Sequence, residues 1–247
     1  MTTPTTRTDL FRDLHERTDP ADPLVIPNVW DAVSARVFAE AGYAALASSS
    51  AAVAAVLGYR DGGETPAGEM FDALARVVRA VDVPVTVDVE DGYGLPPAEL
   101  VERLLAVGAV GCNLEDTDHR TGTLKDARAH ADWLAEVTAV AGGRLVVNAR
   151  VDSYLHGDQG TEQAIGRALL YTEAGADVVY PILAPVPLLP ELAGAVAVPL
   201  NALHRPGGPD PAELGRLGVT RVTFGEGLHR RATAALHDIA RSLTGNG

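Results

Sequence analysis

A (β/α)8 TIM barrel, an α/β fold, is the class this sequence predicts, and three observations carry the prediction. Eight short apolar runs recur along the chain, and segments with helical spacing of apolar residues separate them. The 247 residues are also the length that eight such units need. No Pro/Gly/Ser-rich linker divides the chain, so residues 1–247 read as one barrel domain. An open doubly wound sheet is the alternative, but no G-x-G-x-x-G follows the first apolar run.

The Thr-rich residues 1–7 read as a disordered tail, and TDLFRDLHER as a short opening helix with Thr8 as its N-cap. Strands are expected at 24–29 (LVIPNV), 43–49 (YAALASS), 84–90 (PVTVDVE) and 110–115 (VGCNLE). Four more follow at 144–150 (RLVVNAR), 177–183 (DVVYPIL), 198–203 (VPLNAL) and 221–225 (RVTFG). Helical spacing appears in DAVSARVFAEAG, AGEMFDALARVVRAV, PAELVERLLAVG, ARAHADWLAEVTAVAG and TEQAIGRALLYTEAG. Gly42, Gly108 and Gly175 stand where helices should stop.

Composition narrows the function. Apolar residues make up 47% of the chain, enough for a large core, and a net charge of −13 disfavours nucleic acid and anionic membrane as partners. No apolar run reaches membrane-span length and the N-terminus lacks an apolar signal core, so a cytoplasmic location is expected. Cys112 is the single cysteine, which excludes an internal disulfide and a cysteine-based zinc cluster. The seven histidines form no zinc-binding pair, so any metal would be held by oxygen.

Barrel active sites lie at the C-terminal ends of the strands, and polar residues gather there in this chain. They are Asn28, Trp30 and Asp31, then Ser48, Ser49 and Ser50, then Asp88 and Glu90, Asn113 and Glu115, and Asn148, Arg150 and Asp152. A single Ser, Asn or Asp in such a place also suits a helix N-cap. Asp88, Glu90 and Glu115 together suit one less well, because carboxylates at adjacent strand mouths repel unless a cation sits among them. Alternation along an extended strand puts Asp88 and Glu90 on one face. Mg2+ fits such a set, and Mn2+ accepts the same oxygen ligands. Arg150 suits a planar carboxylate, either a substrate's or one of the cluster's.

The segments PNVWDAVSARVFAEAGYAALASSSAAVAAVLGYRDG, PVTVDVEDGYG, VGCNLED and VVNARVD resemble, in order and spacing, the isocitrate lyase/phosphoenolpyruvate mutase superfamily. The resemblance runs from Pro27 to Asp152 and more loosely to LGVTRVTFGEGL at 217–228. It implies a homo-oligomeric barrel, a dimer or tetramer, that binds Mg2+ and makes or breaks C–C or C–P bonds in small carboxylic acids. Carried over by motif, Asp88 is the direct metal ligand, and Glu90, Glu115 and Asp61 hold metal-bound waters. Ser48 to Ser50 cradle a substrate carboxylate or oxyanion, and Arg150 binds substrate. Trp30, Asn113 and Asn148 complete the expected substrate set.

The chain departs from the family in two places. The third strand carries D-x-E where the family has D-x-D, and the loop after the fourth strand reads EDTDHRTGTLKDARAHAD, without the K-[KR]-C-G-H of the lyase branch. Cys112 should point away from Glu115 into the layer between barrel and helices. Isocitrate lyase activity itself is therefore disfavoured. Thr121 and Thr123 occupy the positions where the phosphonate branch carries Lys and Asn, with His119, Arg120 and Lys125 nearby. The reading that remains is a Mg2+-dependent lyase or decarboxylase acting through an enolate. Its acid–base candidates are His119 and Tyr93, then His204 and Tyr180. A C–P bond enzyme and a non-catalytic binding barrel are the alternatives.

Overall fold

The computed structural model describes residues 6–16, 19–156 and 160–244; residues 1–5 of the tail expected at 1–7 lie outside them. Its strands are β1 (Leu24–Val25), β2 (Asn28–Val29), β3 (Leu46–Ser48), β4 (Val85–Asp88), β5 (Gly111–Glu115), β6 (Thr117–Asp118), β7 (Thr123–Leu124), β8 (Val146–Val151), β9 (Val178–Pro181), β10 (Asn201–Leu203) and β11 (Arg221–Thr223). Its α-helices are α1 (Arg7–Asp13), α2 (Ala32–Glu40), α3 (Ser50–Leu57), α4 (Ala67–Val78), α5 (Pro97–Ala106), α6 (Ala127–Ala141), α7 (Thr161–Glu173), α8 (Leu189–Ala195), α9 (Pro211–Arg216) and α10 (Gly227–Leu243).

Parallel pairing joins β2, β3, β4, β5, β8 and β9 in that order, and β1, β11 and β10 in a second run. A bridge from Val179 to Leu200 links β9 to the entry of β10. Because β1 and β2 are two halves of the first expected strand, the ring closes as a (β/α)8 barrel. That strand divides around Ile26 and Pro27, where proline has no N–H for a ladder. Asn28 fastens the seam: its Nδ2 donates to Ser48 O (2.8 Å), and its Oδ1 accepts from the N–H of Phe224 (2.7 Å) and Gly225 (3.1 Å).

The expected strands are present but shorter than their apolar runs: β4, β9 and β11 give up their last residues to the loops at the barrel mouth, whereas β5, β8 and β10 are shorter only at their start, and β8 runs past Arg150 to Val151. Gly42, Gly108 and Gly175 have φ of 92°, 80° and 93°, the left-handed geometry that ends a helix. The first helix starts earlier than expected. Thr6, not Thr8, is its N-cap, exchanging hydrogen bonds with Asp9, so Arg7 is already helical rather than part of a tail. Thr8 instead donates to Arg144 O (3.1 Å).

Helix α1 closes the lower barrel. Its Phe11 is fully buried among Leu24, Ile26, Ala45, Ala47, Val146 and Val178, which stabilises the fold by about 2 kcal/mol for that ring. The second core lies between barrel and helices and contains Val87, Leu114, Leu134 and Val147. Cys112 belongs to it, as expected, and burial pushes its thiol up to about 12. Helix α10 has no buried residue, and Leu236, Ile239 and Leu243 stand exposed along it. Among the described residues, no helix is long and apolar enough to cross a membrane.

Candidate active site

The strand register assembles the floor of the site. It sets Asp88 beside Asn113 and Asn113 beside Asn148, and it sets Glu115 beside Arg150 two residues further on. Asn148 Nδ2 donates to Asn113 Oδ1 (2.9 Å), and Asn113 Nδ2 donates to Asp88 Oδ1 (3.1 Å). Both asparagines therefore work through Asp88. From the other side, Ser48 Oγ accepts from Asp88 N (2.8 Å), while Ser50 donates to Asp88 Oδ2 from its N–H (3.2 Å) and its hydroxyl (2.9 Å). Ser49 instead caps α3 by accepting from Ala52 N. The three serines do not form one cradle: two hold Asp88 and one holds a helix.

Glu90 reaches the cluster by another route than strand alternation. β4 ends at Asp88, and Glu90 has φ 50°, a left-handed turn followed by Gly92 at φ 87°. Glu90 is 1% exposed, its Oε1 accepts from the Tyr93 hydroxyl (3.4 Å), and its Oε2 has no hydrogen-bond partner among the described residues. His119 Nε2 lies 2.9 Å from Glu115 Oε2 and 3.7 Å from Glu90 Oε2. Gly63, at φ 83°, lets the loop pass this ring, since a Cβ there would come within 3.1 Å of His119 Cβ. Asp61 stands at the exposed rim.

Burial and crowding among like charges set the protonation of this group. Burial, then Asp61 and Asp88, push Glu90 up to about 7. Burial pushes Glu115 up to about 7 against the pull of Arg150 and His119. Asp61 is raised too, first by the protein around it and then by Asp88. Burial opposes a charge on His119, but the hydrogen bond and charge of Glu115 outweigh it and hold the ring at about 9. Burial, then Glu90, raise Tyr93 well above the phenol range, so it keeps its proton.

Among the described residues, no three His, Cys, Asp or Glu side chains stand as a ready-made metal cage. The donor set fits a cation of another kind, one that takes a carboxylate or two and keeps several waters. A buried carboxylate oxygen without a partner, among acids that raise one another, is what such a cation would relieve.

Arg150 lies against both carboxylates beside it. Its Nε and Nη2 donate to Asp152 (2.5 and 3.1 Å), and Nη1 pairs with Glu115. A cavity of about 910 Å³ opens beside the cluster, walled by Gly63, Tyr93, His119, Lys125, His130 and Trp133. Trp30, half-buried, meets His229 edge-on at 5.0 Å. The loop after β5 is not featureless, since β6 and β7 pair as a hairpin whose Thr121 and Thr123 hydroxyls are 2.9 Å apart and exposed. Tyr180 lies within β9, facing the barrel interior, rather than beyond the strand; His204 packs on Phe224 at 5.2 Å.

The family model described as phosphoenolpyruvate phosphomutase matches residues 11–244. The chain belongs to this family. With it comes membership of the phosphoenolpyruvate mutase/isocitrate lyase superfamily, whose characterised members include lyases. An uncharacterized protein of Mycobacterium tuberculosis is 36% identical over 91% of this chain and 87% of its own length. The 2-methylisocitrate lyase of Aeropyrum pernix is 32% identical over 76% of this chain and 64% of its own length. Oxaloacetate decarboxylase 1 of Pseudomonas putida is 29% identical over 88% and 79%. Among solved structures, "a putative phosphonomutase from Burkholderia cenocepacia J2315" superposes with a TM-score of 0.88 at 37% identity, covering 95% of this chain and 99% of that one. Oxaloacetate acetylhydrolase in complex with oxalate superposes with a TM-score of 0.85 at 25% identity, covering 97% and 88%.

In this family member, a buried network behind Arg150 escaped the sequence reading. Asp152 accepts from the Thr117 hydroxyl (2.5 Å), which lies 2.9 Å from His156 Nε2. The N–H of Asp152 donates to Asp116 Oδ1 (2.8 Å), and Asp116 Oδ2 accepts from Arg167 (2.9 Å) and the Tyr171 hydroxyl (2.7 Å). The available signal was Arg167 and Tyr171 four apart on one expected helix, with a second acid directly after Glu115.

Proposed function

We propose that the chain is one barrel domain acting as a Mg2+-dependent carbon–carbon lyase or decarboxylase, with a small 2-oxo or 2-hydroxy (di)carboxylic acid as substrate and the reaction passing through an enolate. Mn2+ would serve in place of Mg2+. The observation that carries this reading is the convergence of Asp88, Glu90 and Glu115 with Arg150 at the barrel mouth. Relatives named 2-methylisocitrate lyase, oxaloacetate decarboxylase and oxaloacetate acetylhydrolase support the substrate class. In this reading Asp88 is the direct ligand, and Glu90, Glu115 and Asp61 hold the ion's waters. When bound, the ion supplies Lewis-acid stabilisation of the negative charge that develops on the substrate oxygen.

The chain's own residues do the rest. Arg150, anchored by Asp152, grips a substrate carboxylate with the nitrogen that otherwise pairs with Glu115. Ser48 and Ser50, with Asn113 and Asn148 behind them, fix Asp88, while Trp30 is assigned to the substrate side of the mouth in this reading. His119 and Tyr93 both sit in the cluster and both carry a proton at neutral pH, so each can deliver one to the enolate carbon. Thr121 and Thr123 are uncharged, and the nearby cations Arg120 and Lys125 are paired with Asp118 and Asp91, which favours C–C over C–P cleavage. The apolar stripe on α10 supports a homo-oligomer, and a cytoplasmic location belongs to the same reading.

The test is ¹H and ³¹P NMR with oxaloacetate, methylisocitrate, dimethylmalate and phosphonopyruvate, with Mg2+ and with EDTA. EDTA-sensitive pyruvate without phosphorus chemistry is expected, and Asp88→Ala should lower turnover to about a hundredth or less. Phosphate or phosphoenolpyruvate formed from phosphonopyruvate, or unchanged turnover in Asp88→Ala, would overturn the reading.

A further inference from the structure

Below Asp88 the barrel interior holds a charge with no ion-pair partner among the described residues. Arg221 opens β11, in register with Leu24 on one side and Asn201 on the other, and is 2% exposed. Its guanidinium carbon lies 5.8 Å from the centre of the Phe11 ring on the plug helix. Its Nε and Nη1 have no hydrogen-bond partner among the described residues, and the same is true of Asn201 Nδ2, Thr86 Oγ1 and Asn148 Oδ1. All four residues are buried and line one interior cavity of about 50 Å³, with Asp88 and Tyr180 on its walls.

An isolated ion costs several kcal/mol to bury unless a counter-charge meets it. The ring of Phe11 offsets no more than about 2 kcal/mol of that. Asp88, the acid on the cavity wall, favours the charge on Arg221 but forms no ion pair with it among the described residues, and its oxygens are held by Asn113 (Oδ1) and Ser50 (Oδ2). Burial brings Arg221 down to about 10, so it remains charged at neutral pH. Water could satisfy the hydrogen bonds of such a chamber but not its charge.

We propose that this chamber is a binding site for one small inorganic monovalent anion, held by Nε and Nη1 of Arg221, with Asn201 Nδ2 and the Thr86 hydroxyl as further donors. The volume decides the size class. At roughly 10–15 Å³ for each water-sized occupant, about three to five particles fit. That admits a halide with a water or two and excludes a dicarboxylate. Asn148 Oδ1, an acceptor, faces the water and not the anion. Asp88, Arg150, Ser48 and Asn113, which belong to the mouth, wall the same cavity, and the unpartnered donors of Arg221, Asn201 and Thr86 mark the part of it that takes the anion.

The experiment uses the full chain at fixed ionic strength in sodium bromide, chloride, acetate or gluconate, read by urea unfolding, together with anomalous diffraction from crystals grown in bromide. The expected results are a bromide peak within hydrogen-bond reach of Arg221 and a folding equilibrium constant that rises tenfold for each tenfold rise in bromide above its Kd. Gluconate, too large for the chamber, should give no rise. Asn201→Asp supplies an internal carboxylate partner and should stay folded while losing the halide dependence, and Arg221→Met should lose it as well. No peak in the chamber, or equal stability in bromide and gluconate, would overturn the proposal. So would stabilisation by acetate equal to that by bromide, which would assign the chamber to organic carboxylates.

Discussion

Acid should destabilise this fold through His130, whose surroundings oppose its protonation from every side but one. The ring is 2% exposed, stacked on Trp133 (centroids 5.5 Å apart) and met edge-on by Tyr171 (5.1 Å), and its Nε2 has no hydrogen-bond partner among the described residues. Burial, then the charges of Lys125 and Arg167, bring its pKa down from 6.5 to about 3, with Asp152 alone pulling the other way. The unfolded chain therefore binds a proton below pH 6.5 that the folded chain refuses, and stability falls as pH falls. At about 1.4 kcal/mol per unit, the 1.5 units between pH 6.5 and 5 cost about 2 kcal/mol, and the loss continues until the folded ring titrates near pH 3. Urea unfolding of wild type and His130→Phe at pH 7 and pH 5 reads this term, because phenylalanine keeps the stacking and cannot titrate. The stability difference between the two proteins should shift by about 2 kcal/mol in favour of the variant at pH 5. A shift below about 0.5 kcal/mol in both His130→Phe and His130→Gln would refute the reasoning. His130, Lys125 and Trp133 also wall the cavity beside His119, so acid-driven opening should begin next to the candidate site.

Cys112, fully buried with its thiol pushed up to about 12, should resist iodoacetamide at pH 8 in the native protein and react fully in urea; native reaction at a free-thiol rate would contradict its placement. Gly63→Ala should cost about 1–2 kcal/mol in urea unfolding, because alanine at φ 83° is strained. It should lower turnover more than stability as the new Cβ pushes on His119. If α10 packs against a second copy, Leu236→Glu with Ile239→Glu should reduce the mass measured by light scattering, and an unchanged mass would remove that support for a homo-oligomer.

Much of this barrel was legible because its signals are local. Short apolar runs, glycine stops and polar residues at strand ends each need only a few neighbours to be read, and they put Asp88, Glu115, Asn113, Asn148 and Arg150 on the strands that the register brings side by side. Glu90 shows where the local rule fails. It was placed beside Asp88 for the wrong reason, since alternation assumes an extended backbone and Glu90 sits in a left-handed turn. The contacts Arg167–Asp116 and Tyr171–Asp116 span 51 and 55 residues, and Thr117–Asp152 spans 35, so only the closed ring brings them together. Arg221 enters the sequence reading only as the first residue of the strand at 221–225, because nothing nearby in the chain reveals that α1 seals the barrel beneath it.

The site divides into a fixed floor and an exchangeable rim, and the division follows from partner types. Asp88 receives hydrogen bonds from Asn113 and Ser50, neutral donors on strand β5 and at the start of α3, with its backbone tied to Ser48. Neutral donors hold a carboxylate in place without cancelling its charge, which leaves that charge for a cation. At the rim, Glu115 is shared by Arg150 and His119, both cationic at neutral pH, so the partners there satisfy one another's charge. In the proposed reading, a substrate carboxylate at Arg150 would exchange one charge-assisted bond for another and free Glu115 to turn toward the cation's waters. Asp152 stays with Arg150 throughout, because the Thr117 hydroxyl and the Asp116–Arg167–Tyr171 network bind it from behind. On that reading ligand binding requires little reorganisation of the buried structure, and the remaining specificity falls to the β6–β7 hairpin and the cavity walls beside it.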